Sequence, residues 1–420
     1  MKNSNIHWIG VIPDNWGIRK VKQCFYISKE QAHKENPIIL SLARSGVKIR
    51  DISTNEGQLA VSYDNYNPVQ IGDILLNPMD LYSGANCNMS EIEGVISPAY
   101  VNLRKKELLN PKFFDYYFKV QYWTMAMFAH GKGVSFDNRW TMNTDAILNY
   151  YLPYPSLEEQ NNIVECISKT TAKIDQLIEI ENKQIEKLKE YKQAVITEAV
   201  TKGLDKSAPM KDSGVEWIGK IPEEWNIIQT KFLFEIITGS TPDSGDTNNW
   251  DGDIKWITPA DFKTENVYVE KGKRNISLVG LKSCSTTVIP KDNIIFSKRA
   301  PIGLVAININ DLCTNQGCLS CVKKGNFSTK YFYYQMSVMT EFFELFGSGT
   351  TFKEISAQKF GSFKLIFPDV QAQFNIVVYL DKKCAEIDSL ISIKQKKIDM
   401  LNEYKKSLIY EYVTGKKEVV

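Results

Sequence analysis

The chain contains two copies of one sequence frame. Residues 8–16 return as residues 217–225 at an offset of 209, with six of nine positions identical. Residues 155–201 align without gaps on residues 368–414 at an offset of 213, with 22 identities in 47 positions. Because a duplicated chain predicts two-fold pseudo-symmetry, we expect two copies of one structural unit and a target that is contacted twice.

Both copies of the longer repeat carry the signals of a long helix. In the first copy, Ser156 and Glu159 have the spacing of a capping box. In the second copy, Asp369 is the predicted N-cap. Gly203 and Gly415 follow the two segments and predict their C-terminal ends, because glycine readily adopts the left-handed conformation found there.

Apolar residues recur at spacings of three and four along both predicted helices, which is typical of a coiled-coil seam. The predicted seam positions are Ile163, Ile167, Ile174, Leu177, Ile185, Leu188, Tyr191 and Val195 in the first copy, and Ile376, Leu380, Ile387, Leu390, Ile398, Leu401, Tyr404 and Leu408 in the second. A helix of about 40 residues is on the order of 60 Å long, so we expect the two helices to pair as a rod. The alternative is that each amphipathic helix packs on its own domain.

Two segments of unlike sequence lie between the short and the long repeats. Both show short apolar runs broken by Gly, Pro and Asn, at residues 72–76 and 292–296, which indicate β-strands. Both also contain an aromatic helical stretch, at 113–128 and 331–346, followed by a Gly-x-Gly turn. We therefore predict an α/β fold with two globular α/β domains separated by an antiparallel coiled coil of two long repeated helices. The predicted divisions are 1–155 (first domain), 156–204 (first long helix), 205–367 (linker and second domain) and 368–420 (second long helix).

Composition favours a cytoplasmic protein of two or three domains. The 43% hydrophobic and 24% charged content is that of a globular chain, and its apolar runs fall short of the roughly 18 residues of a membrane-spanning helix. The first residues lack the apolar core of a signal peptide, and eight scattered cysteines predict no dense disulfide framework. A net charge of only +2 means that nucleic-acid binding would depend on local basic patches, and by charge alone such patches are more often solvated surface.

Residue patterns for catalysis are weak. Cysteines at 313, 318 and 321 have the spacing of plant-type ferredoxin ligands, but the first half has no counterpart, so we expect buried strand thiols. Asp243, Asp253 and Lys255 only loosely imitate a metal-dependent nuclease, and residues 77–80 contain only part of an amino-methyltransferase motif. The chain lacks a phosphate-binding Gly-x4-Gly-Lys-Ser/Thr motif, and its three histidines have no metal-ligand spacing. We predict that the chain is not an enzyme by itself.

The duplicated Trp-Ile-Gly-x-Ile-Pro-x-x-Trp segment, the matched helices and the unlike domains resemble the specificity subunit of Type I restriction-modification systems. The resemblance covers essentially the whole chain. In the second domain, Gly-Ser-Thr-Pro at 239–242 and Trp-Asp-Gly-Asp-Ile-Lys-Trp at 250–256 look like a common opening of target recognition domains in that family. Residues 297–303 and 314–317 also fit, whereas the first domain lacks the Gly-Ser-Thr-Pro opening.

The resemblance implies a non-catalytic subunit that reads a bipartite double-stranded DNA site, one half-site per recognition domain. Methylation with S-adenosylmethionine would belong to two methyltransferase subunits, and ATP- and Mg-dependent translocation and cleavage to restriction subunits. This chain would carry no cofactor itself and would not contact a membrane. The alternative is a duplicated coiled-coil adaptor whose domains bind proteins, and a third interpretation is a nuclease that uses Asp243, Asp253 and Lys255.

Base reading requires forked donors and acceptors, whereas phosphate contacts need only positive or small polar groups. The DNA-binding candidates in the first domain are Arg44, Lys48, Arg50, Tyr82, Asn86, Lys132, Ser135 and Arg139. Those in the second are Thr241, Asn248, Asn249, Lys298, Arg299, Asn315, Gln316, Ser348, Thr350, Thr351 and Lys353. Of these, Arg299 and Gln316 are the expected sequence readers. The repeated tryptophans Trp8, Trp16, Trp217 and Trp225 are expected to anchor the domains on the coiled coil.

Overall fold

A computed structural model of the chain describes residues 1–30, 37–52, 62–79, 81, 87–133, 140–215, 217–262, 266–299, 301–347 and 353–419. The chain forms two compact units. The first unit combines residues 1–182 with residues 395–420, and the second consists of residues 183–394. Within the described ranges, the helices are all too short or too polar to cross a membrane.

The first unit is built from short strands and short helices. Its strands are β1 (Lys2–Asn3), β2 (Val11–Ile12), β3 (Gly17–Lys20), β4 (Phe25–Ile27), β5 (Leu40–Ala43), β6 (Gly46–Ile49), β7 (Asn67–Val69), β8 (Ile74–Leu76), β9 (Cys87–Met89), β10 (Gly94–Ile96), β11 (Val101–Lys105) and β12 (Tyr151–Tyr154). Its short helices are α1 (Val21–Cys24), α2 (Pro111–Trp123) and α3 (Thr144–Asn149). The long helix α4 (Leu157–Lys202) follows along the chain.

The second unit has a similar composition of elements. Its strands are β13 (Met210–Asp212), β14 (Lys220–Pro222), β15 (Asn226–Gln229), β16 (Phe234–Thr238), β17 (Trp250–Ile257), β18 (Tyr268–Val269), β19 (Arg274–Ile276), β20 (Ile294–Ser297), β21 (Val305–Asn308), β22 (Cys313–Thr314), β23 (Cys318–Lys323) and β24 (Lys364–Phe367). Its short helices are α5 (Thr230–Leu233), α6 (Leu278–Ser283), α7 (Thr329–Ser337), α8 (Thr340–Leu345) and α9 (Ala357–Ser362). The long helix α10 (Val370–Val413) follows.

The central sheets of the two units have the same strand order. In the first unit the order is β4-β11-β8-β9, with antiparallel neighbours throughout. In the second unit β16-β23-β20-β21 repeats this arrangement, and β18 adds in parallel to β21. The strands β8 and β20 are entirely buried, as expected for continuous apolar runs in the middle of a covered sheet. The predicted α/β fold with two domains of one plan is confirmed.

An aromatic core covers each central sheet. In the first unit, Phe114 of α2 packs edge-to-face on Phe25 with ring centroids 5.4 Å apart. In the second unit, Phe332 of α7 packs on Phe234 in the same way, at 5.6 Å. The predicted single aromatic helix is interrupted in the second unit, and α8 begins after the break so that Phe343 reaches the same core. Aromatic pairs of this geometry add to the stabilisation from apolar burial.

The beginnings of both long helices are capped by side chains. Ser156 Oγ accepts a hydrogen bond of 3.2 Å from the backbone N–H of Glu159, and Asp369 accepts one of 2.9 Å from Ala372, as predicted. The second half of the predicted capping box is not formed. The Glu159 carboxylate instead accepts a hydrogen bond of 2.7 Å from Trp16 Nε1, which ties the short repeat to the long helix.

The four repeated tryptophans divide into two kinds. Trp16 and Trp225 contact the long helices, as predicted: Trp16 binds the start of α4, and the ring of Trp225 lies against Gly203 at the end of α4. The prediction is wrong for Trp8 and Trp217. Trp8 stacks on Tyr150 at 4.9 Å, and Trp217 packs on an aromatic ring of α8, so both are part of their own domain.

The coiled-coil seam differs from the predicted one at four positions. Leu177, Tyr191, Leu390 and Tyr404 are 44%, 56%, 48% and 52% exposed. The seam instead passes through Ile178 and its repeat mate Ile391, which are half-buried. Adjacent apolar residues made the register ambiguous, since Ile178 but not Leu177 stands seven residues before the buried Ile185. The other predicted seam residues are buried or half-buried.

Ion pairs join the long helices in both units, and the two in the first unit show that the helices run antiparallel there. In the first unit Asp175 binds Lys405 and Glu181 binds Lys397, with N–O distances of 2.7 and 2.6 Å. In the second unit Lys192 binds Asp388 at 2.7 Å. Asp388 is the repeat mate of Asp175, and Lys405 that of Lys192. The same pair therefore occurs once in each unit, as the sequence duplication predicts.

Candidate nucleic-acid interface

Three loops of the second domain meet at one edge of its central sheet. Strands β16 and β20 end there and β23 begins there, since Thr238 pairs with Leu319 and Ser297 pairs with Cys318. Ser240 donates its backbone N–H to the Thr314 carbonyl at 2.9 Å. Most candidates of this domain are thereby brought together. We call this surface the polar edge; it comprises Thr241, Lys298, Arg299, Asn315, Gln316, Lys353 and Glu354.

The motif glycine of Gly-Ser-Thr-Pro permits a close approach of two of these loops. A Cβ atom at Gly239 would collide with the carbonyl and the side chain of Thr314. Across this approach, Thr241 Oγ1 donates a hydrogen bond to Gln316 Oε1. Asn315 uses its side-chain oxygen within its own loop, accepting the backbone N–H of Gly317 at 2.9 Å. The exposed Gln316 amide is thus oriented by a neighbour, while Asn315 shapes the loop.

A carboxylate binds the two basic residues that follow β20. Arg299 Nε donates to Glu354 Oε2 at 2.6 Å, and Lys298 Nζ lies 3.9 Å from Glu354 Oε1. The hydrogen bond from Arg299 is the main cause that lowers the pKa of Glu354. Arg299 is partly exposed, but Lys298 is only 8% exposed. Because Lys298 is buried, it is poorly placed to contact a phosphate, and it lies against Glu354 within the polar edge. Lys353 is exposed beside this cluster.

The two asparagines at 248 and 249 do not belong to the polar edge as recognition groups. Asn249 is only 2% exposed, and its Nδ2 donates to the Asp243 carbonyl at 3.1 Å. Asn248 is exposed, but its side chain is bound to Asp246 at 3.0 Å. A buried amide cannot reach a base edge, so the prediction for Asn249 is wrong. Both residues shape the loop that leads into β17.

In the first domain the described basic candidates lie on two separate segments. Arg44 is exposed in the turn of the β5–β6 hairpin, Lys48 is exposed on β6, and Arg50 is half-buried just after it. Asn88 of β9 holds this hairpin by donating to the Ala43 carbonyl at 2.9 Å. The second segment carries the exposed Lys132, which is bridged to Thr141.

Comparison of the two sheets identifies edge positions that the motifs did not indicate. Ile355 donates its N–H to the Lys298 carbonyl at 3.0 Å, and Met142 donates to the Pro78 carbonyl at 2.9 Å. The backbone after β8 therefore matches the backbone after β20, and Met79 stands where the second domain has Arg299. By the same match, Thr141 takes the place of Glu354. The aligned strand runs at 74–76 and 294–296, extended by three residues, would have indicated that Met79 matches Arg299.

Seven predicted candidates lie outside the described residues: Tyr82, Asn86, Ser135, Arg139, Ser348, Thr350 and Thr351. The cysteines at 313, 318 and 321 are buried strand thiols, as predicted. Burial raises the pKa of the Cys313 thiol to about 11. Among the described residues, no group of three or more His, Cys, Asp or Glu side chains could hold a metal ion.

Sequence comparison places the chain among known proteins. Residues 222–415 match the family described as "Type I restriction modification DNA specificity domain". The chain is 35% identical over 189 residues to the Type I restriction enzyme MjaIX specificity subunit of Methanocaldococcus jannaschii, covering 44% of this chain and 43% of the relative. It is 30% identical over 284 residues to the putative MjaX specificity subunit of the same organism, covering 66% of this chain and 62% of the relative. The chain thus spans less than two thirds of the length of these two relatives.

Solved structures show the same fold. A structure concerning complex assembly and conformational transition of the type I R-M system has a TM-score of 0.71 at 15% identity, covering 96% of this chain and 98% of the other. The HsdS subunit from Thermoanaerobacter tengcongensis has a TM-score of 0.51 at 14% identity, covering 97% of this chain and 98% of the other.

The fold of duplicated α/β domains and paired long helices is shared with these two solved structures. In sequence, the chain is similar to Type I restriction enzyme specificity subunits, and residues 222–415 match the DNA specificity domain of that family.

Proposed function

We propose that this chain is the DNA sequence-recognition subunit of a Type I restriction-modification complex and has no catalytic role of its own. Each domain reads one half of a bipartite site in double-stranded DNA, and the coiled coil sets the spacer. The observation that carries this proposal is the repeated sheet edge, which has one backbone plan in both domains but different side chains. A shared frame with unlike contact groups is what two unlike half-sites require.

The chemistry of the polar edge suits base reading in the major groove. Arg299 offers a planar fork of donors that matches the O6 and N7 acceptors of guanine, and Gln316 offers the donor and acceptor that match adenine. At the matching edge of the first domain, Met79 and Thr141 offer an apolar and a small polar contact, which suit a thymine methyl group and a nearby donor or acceptor. The basic hairpin with Arg44 and Lys48 supplies phosphate contacts.

Exposed apolar side chains on the long helices are the proposed docking sites for methyltransferase subunits. In the first unit they are Leu177 and Ile180 of α4 and Tyr404 of α10. In the second unit they are the repeat mates Leu390, Ile393 and Tyr191. The same small patch therefore occurs once per unit, so two identical subunits can each bind one. Apolar groups held outside the seam gain stabilisation only when a partner covers them.

The reactions of such a complex require partners. In this proposal S-adenosylmethionine is bound by the two methyltransferase subunits, and ATP and Mg²⁺ by the restriction subunits that dock on the same scaffold. The assembly works on DNA in the cytoplasm.

The test is to map modified bases in DNA exposed to this chain together with its methyltransferase subunits. We expect methylation at a bipartite motif with a fixed spacer, and no such motif when this chain is omitted. Exchanging the second domain for that of another family member is expected to change one half-site only. Methylation that is independent of this chain would contradict the proposal and favour the protein-binding adaptor.

A further inference from the structure

We propose that Glu354 is a positioning residue that aims Arg299 at a guanine in the half-site read by the second domain. The inference rests on the proposed function and adds to it one acid that belongs to the reading machinery. It is drawn from the contacts of Glu354 with the residues that follow β20.

The backbone holds the carboxylate of Glu354 in a fixed place. Arg299 and Glu354 face each other across an isolated antiparallel bridge, and the next residue, Ile355, is 1% exposed and bonded to the Lys298 carbonyl at 3.0 Å. From this place Oε2 accepts Arg299 Nε at 2.6 Å. Because the buried Ile355 fixes the backbone next to Glu354, the carboxylate has a fixed position and can restrain the side chain of Arg299.

The guanidinium nitrogen that binds Glu354 determines which donors of Arg299 remain available to a base. A guanidinium presents its donors in a rigid fork, and the bond to Glu354 occupies Nε. The two terminal nitrogens, Nη1 and Nη2, then form the free end of the fork and can donate in parallel to O6 and N7 of guanine. Restraining the long side chain beforehand also removes part of the entropy cost of ordering it on DNA.

A carboxylate on this surface has an electrostatic cost. It repels the phosphates of every DNA sequence, so for non-specific affinity alone an uncharged residue would serve better. Lys298, 3.9 Å from the other carboxylate oxygen, offsets part of this charge. Glu354 is therefore expected to lower non-specific binding and to raise discrimination, and these opposite effects separate positioning from a structural role.

The experiment uses the complete complex with its methyltransferase subunits, carrying Glu354→Ala, Glu354→Gln or Arg299→Ala. Binding is measured against duplexes substituted one base pair at a time in the half-site of the second domain. The matched control is Asp292→Asn, which removes one charge from an exposed ion pair with Lys323 at 3.0 Å, at the opposite end of β20. Asparagine tolerates the positive φ of 62° found at this position.

We expect Glu354→Ala to reduce discrimination at one G·C pair by about ten-fold while binding to unrelated DNA becomes a few-fold tighter. Arg299→Ala is expected to reduce discrimination at the same base pair. Glu354→Ala combined with Arg299→Ala is expected to reduce it no further than Arg299→Ala alone. Glu354→Gln keeps an acceptor oxygen and is expected to restore part of the discrimination. Asp292→Asn is expected to leave the base profile unchanged.

Two results would overturn the inference. One is an unchanged base profile in Glu354→Ala. The other is a uniform loss of affinity for all sequences together with a lower melting temperature, which would make the ion pair structural only. Absence of sequence-specific binding by the unaltered complex is a separate result, and it would overturn the proposed function itself.

Discussion

At the scale of single residues, the bond between Thr241 and Gln316 links two loops of the polar edge. Glutamine reads adenine with one donor and one acceptor, and its amide must face the right way to do so. The Thr241 hydroxyl donates to Oε1 and so defines that face. Thr241→Val keeps the shape but removes the donor.

We therefore expect Thr241→Val to weaken discrimination at one base pair, and Gln316→Ala to weaken it further at the same pair, by about 1–3 kcal/mol. Competition binding with single-base-pair variants of the half-site measures both effects. The exposed Lys353→Ala serves as a comparison, since loss of a charge is expected to weaken binding to all sequences alike. Equal losses on every sequence in Thr241→Val would contradict the assignment.

Gly203 illustrates a residue whose conformation and surroundings both require glycine. It ends α4 with φ at +76°, and a Cβ atom there would lie 3.1 Å from the ring of Trp225. Gly214 has a similar φ of +65° but open space around it. We expect Gly203→Ala to lower the free energy of unfolding by about 1 kcal/mol more than Gly214→Ala does. Chemical denaturation of both variants checks this, and equal losses would show that crowding at Trp225 is unimportant.

The residue scale is also where prediction from sequence was weakest. Donor-bearing residues such as Lys298 and Asn249 were chosen by type, but burial depends on tertiary contacts that a local pattern does not contain. Glu354 is not among the predicted DNA contacts, because contacts to bases and phosphates are expected mainly from positive and amide groups. Its role depends on the pairing of its backbone with Arg299, which lies 55 positions away in the chain.

At the scale of elements, repetition made the long helices predictable. Capping by Ser156 and Asp369 and the glycine ends were correctly inferred, because these signals are local. The seam register was not, because Leu177 and Ile178 are both apolar and only packing decides between them. In the observed register, Leu177 and its repeat mate Leu390 are exposed on the helices.

These exposed residues give a prediction about assembly. Leu177→Ser with Ile180→Ser is expected to remove one methyltransferase subunit from the complex, and Leu390→Ser with Ile393→Ser to remove the other. All four variants together are expected to abolish assembly without lowering the melting temperature of the isolated chain, because solvent already reaches these side chains. Native mass spectrometry measures the subunit count.

The control for this experiment is Leu108→Ser, which alters an exposed leucine of the first domain that is 77% accessible. It is expected to leave two methyltransferase subunits bound. A complex that keeps both subunits after all four helix substitutions would show that these patches are not the docking sites.

At the scale of the whole molecule, the sequence repeats predicted the duplicated plan. The structure confirms it, because both central sheets use the same order of strands. The correspondence of their edges was not predicted, because only the strand runs at 74–76 and 294–296 are alike and the residues that follow them differ. The paired backbone bonds at Lys298 and Pro78 show that Arg299 and Met79 occupy matching places.

Lengthening the coiled coil is expected to lengthen the spacer and leave both half-sites unchanged. Four residues inserted after Lys183, with four more after its repeat mate Lys396, keep the antiparallel helices equal in length and add about 6 Å at about 1.5 Å per residue. That distance corresponds to about two base pairs at about 34 Å per 10 base pairs. Mapping of methylated sites should therefore show the same half-sites about two base pairs further apart. Substituting Lys183 and Lys396 without insertion is the control, and an unchanged spacer in the lengthened protein would show that the helices do not set it.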